Sequence, residues 1–384
     1  MTSDEIHVII EAGPHDRRQC PVTVVLPERC QGQSWQLRAE DGSTSAVQMF
    51  SDGIAHFILR ELPAGNTASF VLIAADGPPA GHPMGVVIED DLQSLSIDVG
   101  GSPLTRYHYA NVPARPYFYP LLTPDGRELT RGYPMRTDVD GESSDHPHHR
   151  SLWIAFGDVN GTDNWSEAEG HGSTRHDAVL ERFGGPVCGQ FTTRSVWIDS
   201  SERSLLTQRL KVTAWATSPD CRLLDFDIDL TATAESVVFG DTKEGGLLSI
   251  RVVGSMDVPR GGKIENSYGA IDEAETWGKA AHWCDYSGPV GDRKCGIAIM
   301  DHPLSFRYPT HWHVRNYGLM TANPFGYAAY TAGAKRGEHS LKNGETLRFR
   351  YRLLIHSGDA TEGDVRGRYL DFVSPPKVTV VNAE

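Results

Sequence analysis

Short runs of alternating polar and apolar residues recur along this 384-residue chain and constrain its fold more than any other feature. Residues 225–234 read Asp-Phe-Asp-Ile-Asp-Leu-Thr-Ala-Thr-Ala, and residues 209–215 and 347–353 alternate in the same way. Because successive side chains of a β-strand point to opposite faces of the sheet, a period of two indicates strands with one wet face. The 39 glycines and 23 prolines divide the chain into short segments, as in sandwiches and barrels. The pattern therefore predicts an all-β fold.

The strand pattern falls into a short region and a long one. Strand candidates lie close together at residues 6–10, 22–26, 55–59 and 68–74. Residues 75–83 then interrupt the pattern with three prolines and two glycines, which is typical of a linker. We therefore predict a small N-terminal β-sandwich at residues 1–76, a linker at 77–86 and a large antiparallel β-domain at 87–384.

The charge balance excludes several classes of partner. The chain has 36 basic and 50 acidic side chains, a formal net charge of −14, whereas binding to phosphates or an anionic membrane needs a basic face. No apolar run approaches the 18 or more residues of a spanning helix, and the first thirty residues do not form a secretory signal. The six cysteines are scattered, without a Cys-x-x-Cys pair. We expect a cytoplasmic protein with a small-molecule partner and no nucleic-acid or membrane partner, and assembly into homo-oligomers stays open.

Histidine is the residue type that points most directly to chemistry. Three of the sixteen histidines lie in the segment Asp-His-Pro-His-His at 145–149. Each buried imidazole nitrogen needs a hydrogen-bond partner, so such a cluster is hard to explain by packing alone, although a structural cluster remains the alternative. We predict His148 and His149 as catalytic residues. We predict as substrate-binding residues Asp145, His146, Arg150 and Trp153.

The polar loop at residues 157–165 follows this cluster. Asp158, Asn160 and Asp163 offer oxygen ligands that calcium prefers, but the EF-hand pattern fails because no glutamate occupies its twelfth position. Asx turns are the alternative explanation for these side chains.

A second cluster, Asp-Thr-Lys-Glu-Gly-Gly at 241–246, precedes Arg251. Glu244 is a candidate general acid or base, with Lys243 and Arg251 as substrate-binding cations. A surface ion pair between Lys243 and Glu244 accounts for the same residues equally well.

The third cluster spreads over residues 281–326. His311 and His313 have the spacing that places two side chains on one face of a strand, as metal ligands or as a proton-transferring pair. No spacing here matches a zinc signature, so we expect no cofactor, with a transition metal or calcium as the minority alternative. We predict His313 as catalytic. We predict as substrate-binding residues Trp283, Arg315 and Asn323.

Tryptophans accompany all of these polar clusters. Flat aromatic faces stack on sugar rings, and carboxylate, amide and guanidinium groups hydrogen-bond hydroxyls, so the mixture suits a carbohydrate. Large aromatic residues are, however, most often part of the core. The tryptophans concerned are Trp153, Trp165, Trp283 and Trp312.

Four segments resemble the PmoA-like family of bacterial proteins, whose members are often labelled methane oxygenase PmoA. They are DHPHHRSLWIAFGDVNGTDNW (145–165), DTKEGGLLSIRV (241–252), AHWCDYSG (281–288) and IAIMDHPLSFRYPTHWHVRNYGLMTANPFG (297–326). The resemblance implies an uncharacterised family with a large antiparallel β-supersandwich, similar to galactose mutarotases, which hold sugars across a concave sheet and transfer protons with a His and a Glu. The mutarotases' own signature strings are absent. The family's motif positions here are His146, His148, His149, Glu244, Trp283, Arg315 and Asn323.

These observations favour a carbohydrate-active enzyme that works by His/Glu proton transfer on a sugar or modified sugar, possible reactions being glycoside cleavage, elimination and epimerisation. A retaining glycosidase needs two carboxylates about 5–5.5 Å apart, and histidines outnumber carboxylates here, so epimerisation or a lyase reaction fits better. The first alternative is a non-catalytic carbohydrate-binding protein. The second is a metal-dependent oxygenase or hydrolase that uses His146, His148 and His313.

Overall fold

The computed structural model describes residues 5–31, 33–75 and 85–382. Of the predicted linker, residues 77–84 lie outside the described residues, and Val86 already begins a strand. Within the described residues no helix has both the length and the apolar character needed to cross a membrane.

The described residues form 25 strands and three short α-helices. The helices are α1 (Asp272–Thr276), α2 (Tyr327–Tyr330) and α3 (Val365–Val373). The strands are β1 (Ile6–Glu11), β2 (Arg17–Val25), β3 (Trp35–Ala39), β4 (Thr44–Met49), β5 (Ile54–Leu62), β6 (Thr67–Ala74), β7 (Val86–Asp90), β8 (Ser94–Val99), β9 (Ser102–His108), β10 (Tyr117–Leu121), β11 (Leu152–Phe156), β12 (Ser173–Phe183), β13 (Cys188–Ile198), β14 (Ser204–Trp215), β15 (Cys221–Ala232), β16 (Ser236–Phe239), β17 (Gly245–Arg251), β18 (Lys263–Asn266), β19 (Trp283–Val290), β20 (Arg293–Asp301), β21 (His311–Arg315), β22 (Leu319–Asn323), β23 (His339–Lys342), β24 (Thr346–Ser357) and β25 (Lys377–Asn382).

The N-terminal strands belong to one seven-stranded sheet in the order β2-β5-β4-β3-β6-β1-β25. Strands from both ends of this order contribute alternate residues to a single apolar cluster that includes Val8, Val22, Phe57 and Leu72, so the sheet curls around its own core. The last strand, β25, pairs with β1 along its whole length. Residues 377–382 therefore belong to the N-terminal sheet, whereas the predicted boundary of 87–384 had placed them in the large domain.

The large domain consists of two eight-stranded sheets and a two-stranded sheet of β16 and β23. The front sheet has the order β21-β22-β17-β11-β10-β9-β8-β7, and the back sheet has the order β12-β13-β14-β15-β24-β20-β19-β18. Every strand pair in the two sheets is antiparallel, and one large apolar cluster fills the space between them. The predicted all-β fold with a large antiparallel sandwich is confirmed.

The two outer faces of this sandwich are covered differently. Helix α3 and the N-terminal sheet pack on the back sheet, where Phe50 and Ile58 join an apolar cluster with Phe372 of α3. Polar contacts fasten the same interface, because Arg17 pairs with Asp371 at 3.0 Å. On the front sheet, α1 packs against β21, and the outer face carries most of the predicted functional residues.

Candidate functional site

Strand register brings polar side chains into one row across the front sheet. On β21, Trp312 and Val314 point into the core, so His313 must point outward. The register then places His313 opposite Thr321, Thr321 opposite Ser249, and Ser249 opposite Trp153. This row spans three strand spacings, or about 14 Å between its end backbones. The first histidine segment lies at the Trp153 end of the row, and Glu244 lies near the His313 end.

His149 occupies the middle of a ring stack at the Trp153 end, which we call the His149 centre. Its ring is 1% exposed and lies between His146 and Trp153, with centroid distances of 4.7 and 5.3 Å. Arg251 donates a hydrogen bond to His149 Nδ1 at 3.1 Å, and a guanidinium can only donate, so neutral His149 carries its proton on Nε2. Burial, then the charges of His148 and Arg251, lower the pKa of His149 well below its usual value.

Asp145 fastens the histidine segment to the sheet. Its Oδ1 accepts hydrogen bonds from Arg131 at 2.5 Å and from Arg251 at 3.0 Å, while Oδ2 lies 2.9 Å from His146 Nδ1. Burial raises the pKa of Asp145, but Arg251, Ser143 and His146 outweigh it and hold that pKa below its usual range. An ionised Asp145 thus connects two buried arginines to the loop.

His148 is the half-buried member of the centre. Its ring contacts His149 edge to face at 4.5 Å, and its pKa is lowered to about 4 by burial, followed by the charges of Arg115 and His146. Arg150 lies nearby and makes a bidentate pair with Glu167 at 2.8 and 2.7 Å. At neutral pH both His148 and His149 are therefore neutral imidazoles.

An open hollow of about 600 Å³ lies at the other end of the row, and we call it the Glu244 hollow. Lys243 Nζ contacts Glu244 Oε1 at 2.8 Å, and both side chains are about half exposed. Burial raises the pKa of Glu244, but Lys243, followed by His313 and Arg315, brings it below its usual value. Glu244 is therefore ionised at neutral pH. The residues that line the hollow are Lys243, Glu273, Ala274, Trp277, Lys279, Arg315 and Tyr330.

His313 is held by the aromatic wall of this hollow. Trp277 Nε1 donates to His313 Nδ1 at 3.1 Å, so neutral His313 carries its proton on Nε2. Burial lowers the pKa of His313, Arg315 lowers it further, and the carboxylate of Glu244 opposes the shift. The site thus combines an ionised carboxylate with a neutral imidazole whose tautomer is fixed.

Glu273 at the start of α1 orients Arg315. Its Oε1 accepts from Arg315 at 2.6 Å and its Oε2 accepts from the backbone of Asn316 at 2.9 Å, while Asn316 Oδ1 accepts from the backbone of Glu273 at 3.0 Å. The guanidinium of Arg315 also lies over the ring of Trp277, 5.6 Å from its centroid. These reciprocal bonds hold α1 against the turn between β21 and β22.

Tyr317 lies between the two centres. Arg251 packs on its ring at 4.6 Å and His146 stacks on it at 5.3 Å. Burial raises the pKa of Tyr317, and the charges of Arg315 and Glu244 also act on its hydroxyl, so the residue is close to both groups. The structure therefore places the residues predicted from distant segments on one face, but in two adjoining centres.

Two predicted binding residues do not belong to this face in the way expected. Trp283 lies on β19 of the back sheet, is 7% exposed and packs with Trp215 and Tyr369, so its prediction as a residue of this site is wrong. Asn323 is fully buried, and its amide donates to the carbonyl groups of Thr242 and Gly245, each at 3.0 Å, while Oδ1 accepts from two backbone N–H groups. Asn323 therefore shapes the loop before Glu244 and has no group left for a ligand.

The structure also explains the polar loop at residues 157–165. Asp158 accepts from the backbone of Gly161 at 2.9 Å, Asn160 bonds the backbone at 236 and 238, and Asp163 accepts from the backbone of Trp165 at 2.7 Å. The bonds of Asp158 and Asp163 are the local Asx turns of the alternative explanation, whereas Asn160 ties the loop to β16. Within the residues that the structure describes, no group of three or more His, Cys, Asp or Glu side chains is arranged to hold a metal ion.

Residues 94–369 match the model of a protein family described as a family of unknown function, DUF6807. The chain belongs to this family. The matched range contains both centres and leaves out β1–β7 and β25. The resemblance to the PmoA-like family stays a prediction.

No curated protein matches the chain significantly. Among solved structures, the chain is similar to a GalM/aldose epimerase homologue from C. elegans at 10% sequence identity, with 71% of this chain and 99% of that chain covered and a TM-score of 0.28. At that TM-score the likeness adds nothing to the fold that the chain's own strand pairing defines.

Three residues of the site were not predicted from the sequence. Trp277 and Glu273 stand outside the four quoted segments, and Tyr317 lies within the segment 297–326 without having been singled out. Only the pairing of β21 with β22 and the bonds of α1 to their turn bring these side chains to the site. A Trp-containing acidic segment just before a His-x-His strand is the one sequence signal that could have pointed to them.

Proposed function

We propose that this protein is a carbohydrate-active enzyme that moves a proton on a sugar or keto-sugar bound in the Glu244 hollow, as an epimerase or a lyase. One observation carries the proposal: ionised Glu244 contacts Lys243 in the lining of one open hollow, and neutral His313, which is 2% exposed, accepts a hydrogen bond from Trp277 in the wall of that hollow. The shape and the charge of the hollow together support a polyhydroxylated guest.

The proposed chemistry follows from the protonation states. Glu244, as a carboxylate, takes the proton from a substrate carbon next to a carbonyl group, and the C–H electron pair forms the enolate. His313 donates a hydrogen bond from Nε2 to the carbonyl oxygen where that charge develops. Glu244 then passes its proton to solvent, and delivery of a proton from water to the opposite face of the enolate carbon gives the epimer. Departure of a leaving group from the neighbouring carbon, as it takes the proton from Glu244, gives elimination instead.

The remaining groups of the hollow suit the binding of a sugar. Trp277 presents an aromatic ring on which the C–H face of a sugar can stack, as the exposed side chains of many sugar sites do. Lys243 and Arg315 supply donors for hydroxyl oxygens, which accept hydrogen bonds. Each of these side chains is partly exposed and borders the hollow.

The contacts of Glu273 argue against a glycosidase with two carboxylates. Both of its oxygens already accept hydrogen bonds, one from Arg315 and one from the backbone of Asn316. A second carboxylate that acts as nucleophile or acid needs a free oxygen facing the substrate. Glu273 is better suited to orienting Arg315, which leaves Glu244 as the single reactive carboxylate of the proposal.

The His149 centre is the second part of the proposed site. We assign to His148 the contact with the distal part of a bound substrate, because it is the half-buried imidazole of that centre. His149 is enclosed by its neighbours, and its proposed role is to position His148 and the segment around it. Asp145, His146, Arg150, Trp153 and Arg251 hold this centre together through the bonds and stacks described above.

The test follows exchange of carbon-bound hydrogen in D₂O by NMR, over a panel of aldoses, ketoses, keto-sugars and uronates. We expect wild-type protein to exchange a hydrogen of at least one sugar, and Glu244→Gln to be slower by about a hundredfold or more, the usual contribution of general acid–base catalysis. Glu181→Gln, an exposed change on the back sheet, is the matched control and should exchange normally. Equal rates for wild type and Glu244→Gln would refute the assignment, and saturable binding without exchange would leave a non-catalytic sugar-binding protein.

A further inference from the structure

The cations of the Glu244 hollow point beyond a neutral sugar. Lys243, Lys279 and Arg315 line the hollow, against two carboxylates, Glu273 in its lining and Glu244 beside Lys243. The chain as a whole has a net charge of −14, so this excess of cations is local and opposes the charge of the molecule. A cationic cleft in an acidic protein attracts and retains anions.

Internal pairing neutralises two of the three cations. Lys243 contacts Glu244 at 2.8 Å, and Arg315 pairs with Glu273 at 2.6 Å. Among the residues that the structure describes, no carboxylate lies within ion-pair distance of Lys279, whose side chain is exposed at the rim. Lys279 is therefore the cation of the hollow whose ammonium group is available for an anionic ligand.

The position of Lys279 relative to the reacting group is fixed by backbone bonds. Lys279 accepts at its carbonyl from the backbone N–H of Trp312, the neighbour of His313, at 3.1 Å, and Gly278 donates to the carbonyl of Trp312 at 2.8 Å. The segment that carries Lys279 is thus tied to β21, and Lys279 lines the same hollow as Trp277, which donates a hydrogen bond to His313.

We infer that the natural substrate is an anionic sugar, which carries a carboxylate or a phosphate that Lys279 binds. This inference rests on the proposed function and specifies its substrate class. A carboxylate and a phosphate share the chemistry that an ammonium group recognises, which is an oxyanion held by a charge-assisted hydrogen bond. Neutral sugars offer no such group and leave Lys279 without a partner.

The experiment measures binding by calorimetry with matched pairs of probes. Galacturonate is compared with its methyl ester, and glucose 6-phosphate with glucose, because each pair has the same ring and differs in charge. We expect at least one anion to bind wild-type protein on the order of tenfold more tightly than its neutral counterpart, since a hydrogen bond between charged groups has about that effect. Preference for one of the two anions identifies carboxylate or phosphate as the group that is recognised.

Two variants distinguish binding of the anion by Lys279 from a general effect of the protein's positive charges. Lys279→Met should abolish the preference for the anion and leave binding of the neutral counterpart unchanged, whereas Lys342→Met, an exposed change on β23, should alter neither. If neutral and anionic probes bind wild type equally, or if Lys279→Met keeps the preference, the inference is overturned while the proposed function stands. If no probe of either kind binds, both fall.

Discussion

The two outer faces of the sandwich carry the same residue types and use them differently. On the back sheet His356 contacts Asp285 at 2.8 Å, and Arg352 makes a bidentate pair with Asp225 at 2.6 and 2.8 Å, all four side chains being buried. On the front sheet the paired groups surround an open hollow. Buried charges must be paired on either face, so a pair of charged or imidazole groups does not by itself indicate function. Here such groups indicate function only where they border a solvent-filled hollow.

Because the charged pairs of the back sheet are buried and those of the front sheet are partly exposed, we expect their loss to lower the free energy of unfolding by different amounts. We expect Arg352→Met to cost about 3–5 kcal/mol in the free energy of unfolding, because it leaves Asp225 buried without its cation. The matched change on the front face, Lys243→Met, should cost less than about 1 kcal/mol, because that pair is half exposed. Urea unfolding measures both. A similar loss for the two variants would mean that the faces do not differ in this respect.

The same substitution, made at one tryptophan of each outer face, tests the comparison of the two faces more sharply. Trp283→Phe on the back sheet should cost about 2 kcal/mol of stability, at about 0.8 kcal/mol for each buried carbon that is lost, and leave sugar binding and exchange unchanged. Trp277→Phe removes the donor to His313 Nδ1, so it should reduce the exchange rate while costing about 1 kcal/mol. Thermal unfolding and the D₂O assay, applied to both variants, check the assignment. Loss of sugar binding in Trp283→Phe would reverse it.

The pH dependence of stability should have opposite signs on the two faces. Burial lowers the pKa of His149 in the folded protein. Below about pH 6.5 the unfolded chain therefore binds a proton at this histidine that the folded protein does not bind. The free energy of unfolding falls as the pH drops below 6.5. Each such histidine contributes a slope of up to about 1.4 kcal/mol per pH unit. His149→Gln should therefore make the stability curve shallower between pH 6.5 and 5, and an unchanged slope would contradict the burial of a neutral ring.

His356 provides the matched control for that measurement. Burial lowers the pKa of His356, but Asp285 and the carbonyl of Ser357 raise it above its usual value overall. Its stabilising contribution is therefore present below pH 6.5 and is lost as the pH rises through the raised pKa. His356→Gln should lower stability more at pH 6 than at pH 9, which is the reverse of the effect expected for His149→Gln.

Local alternation predicted most of the fold. The alternating runs at 209–215, 225–234 and 347–353 lie largely within β14, β15 and β24, three neighbouring strands whose inner residues pack in the core. The pairing of β25 with β1 was not predictable in this way, because it depends on two segments about 370 residues apart in sequence. Nothing in the composition of either strand specifies that partner.

The sequence predicted most of the residue types of the site, but it did not predict which of them the fold brings together. The His-x-His spacing at 311–313 correctly indicated a shared outward face, because strand parity alone decides it. Trp283 has equally suggestive neighbours, but its strand belongs to the other sheet, which only the strand order reveals. Asn323 shows a second way in which a motif misleads. Its side chain is polar, but it hydrogen-bonds the backbone of the neighbouring loop and does not face a ligand.

The pairing of β25 with β1 has a consequence for biosynthesis. Strand β1 is synthesised before the strands of the large domain, and its partner at 377–382 follows only after all of them. Until then the nascent N-terminal sheet exposes an unpaired edge, at which strands of neighbouring chains can add. Strand addition at this edge during that interval should lower the yield of correctly assembled molecules.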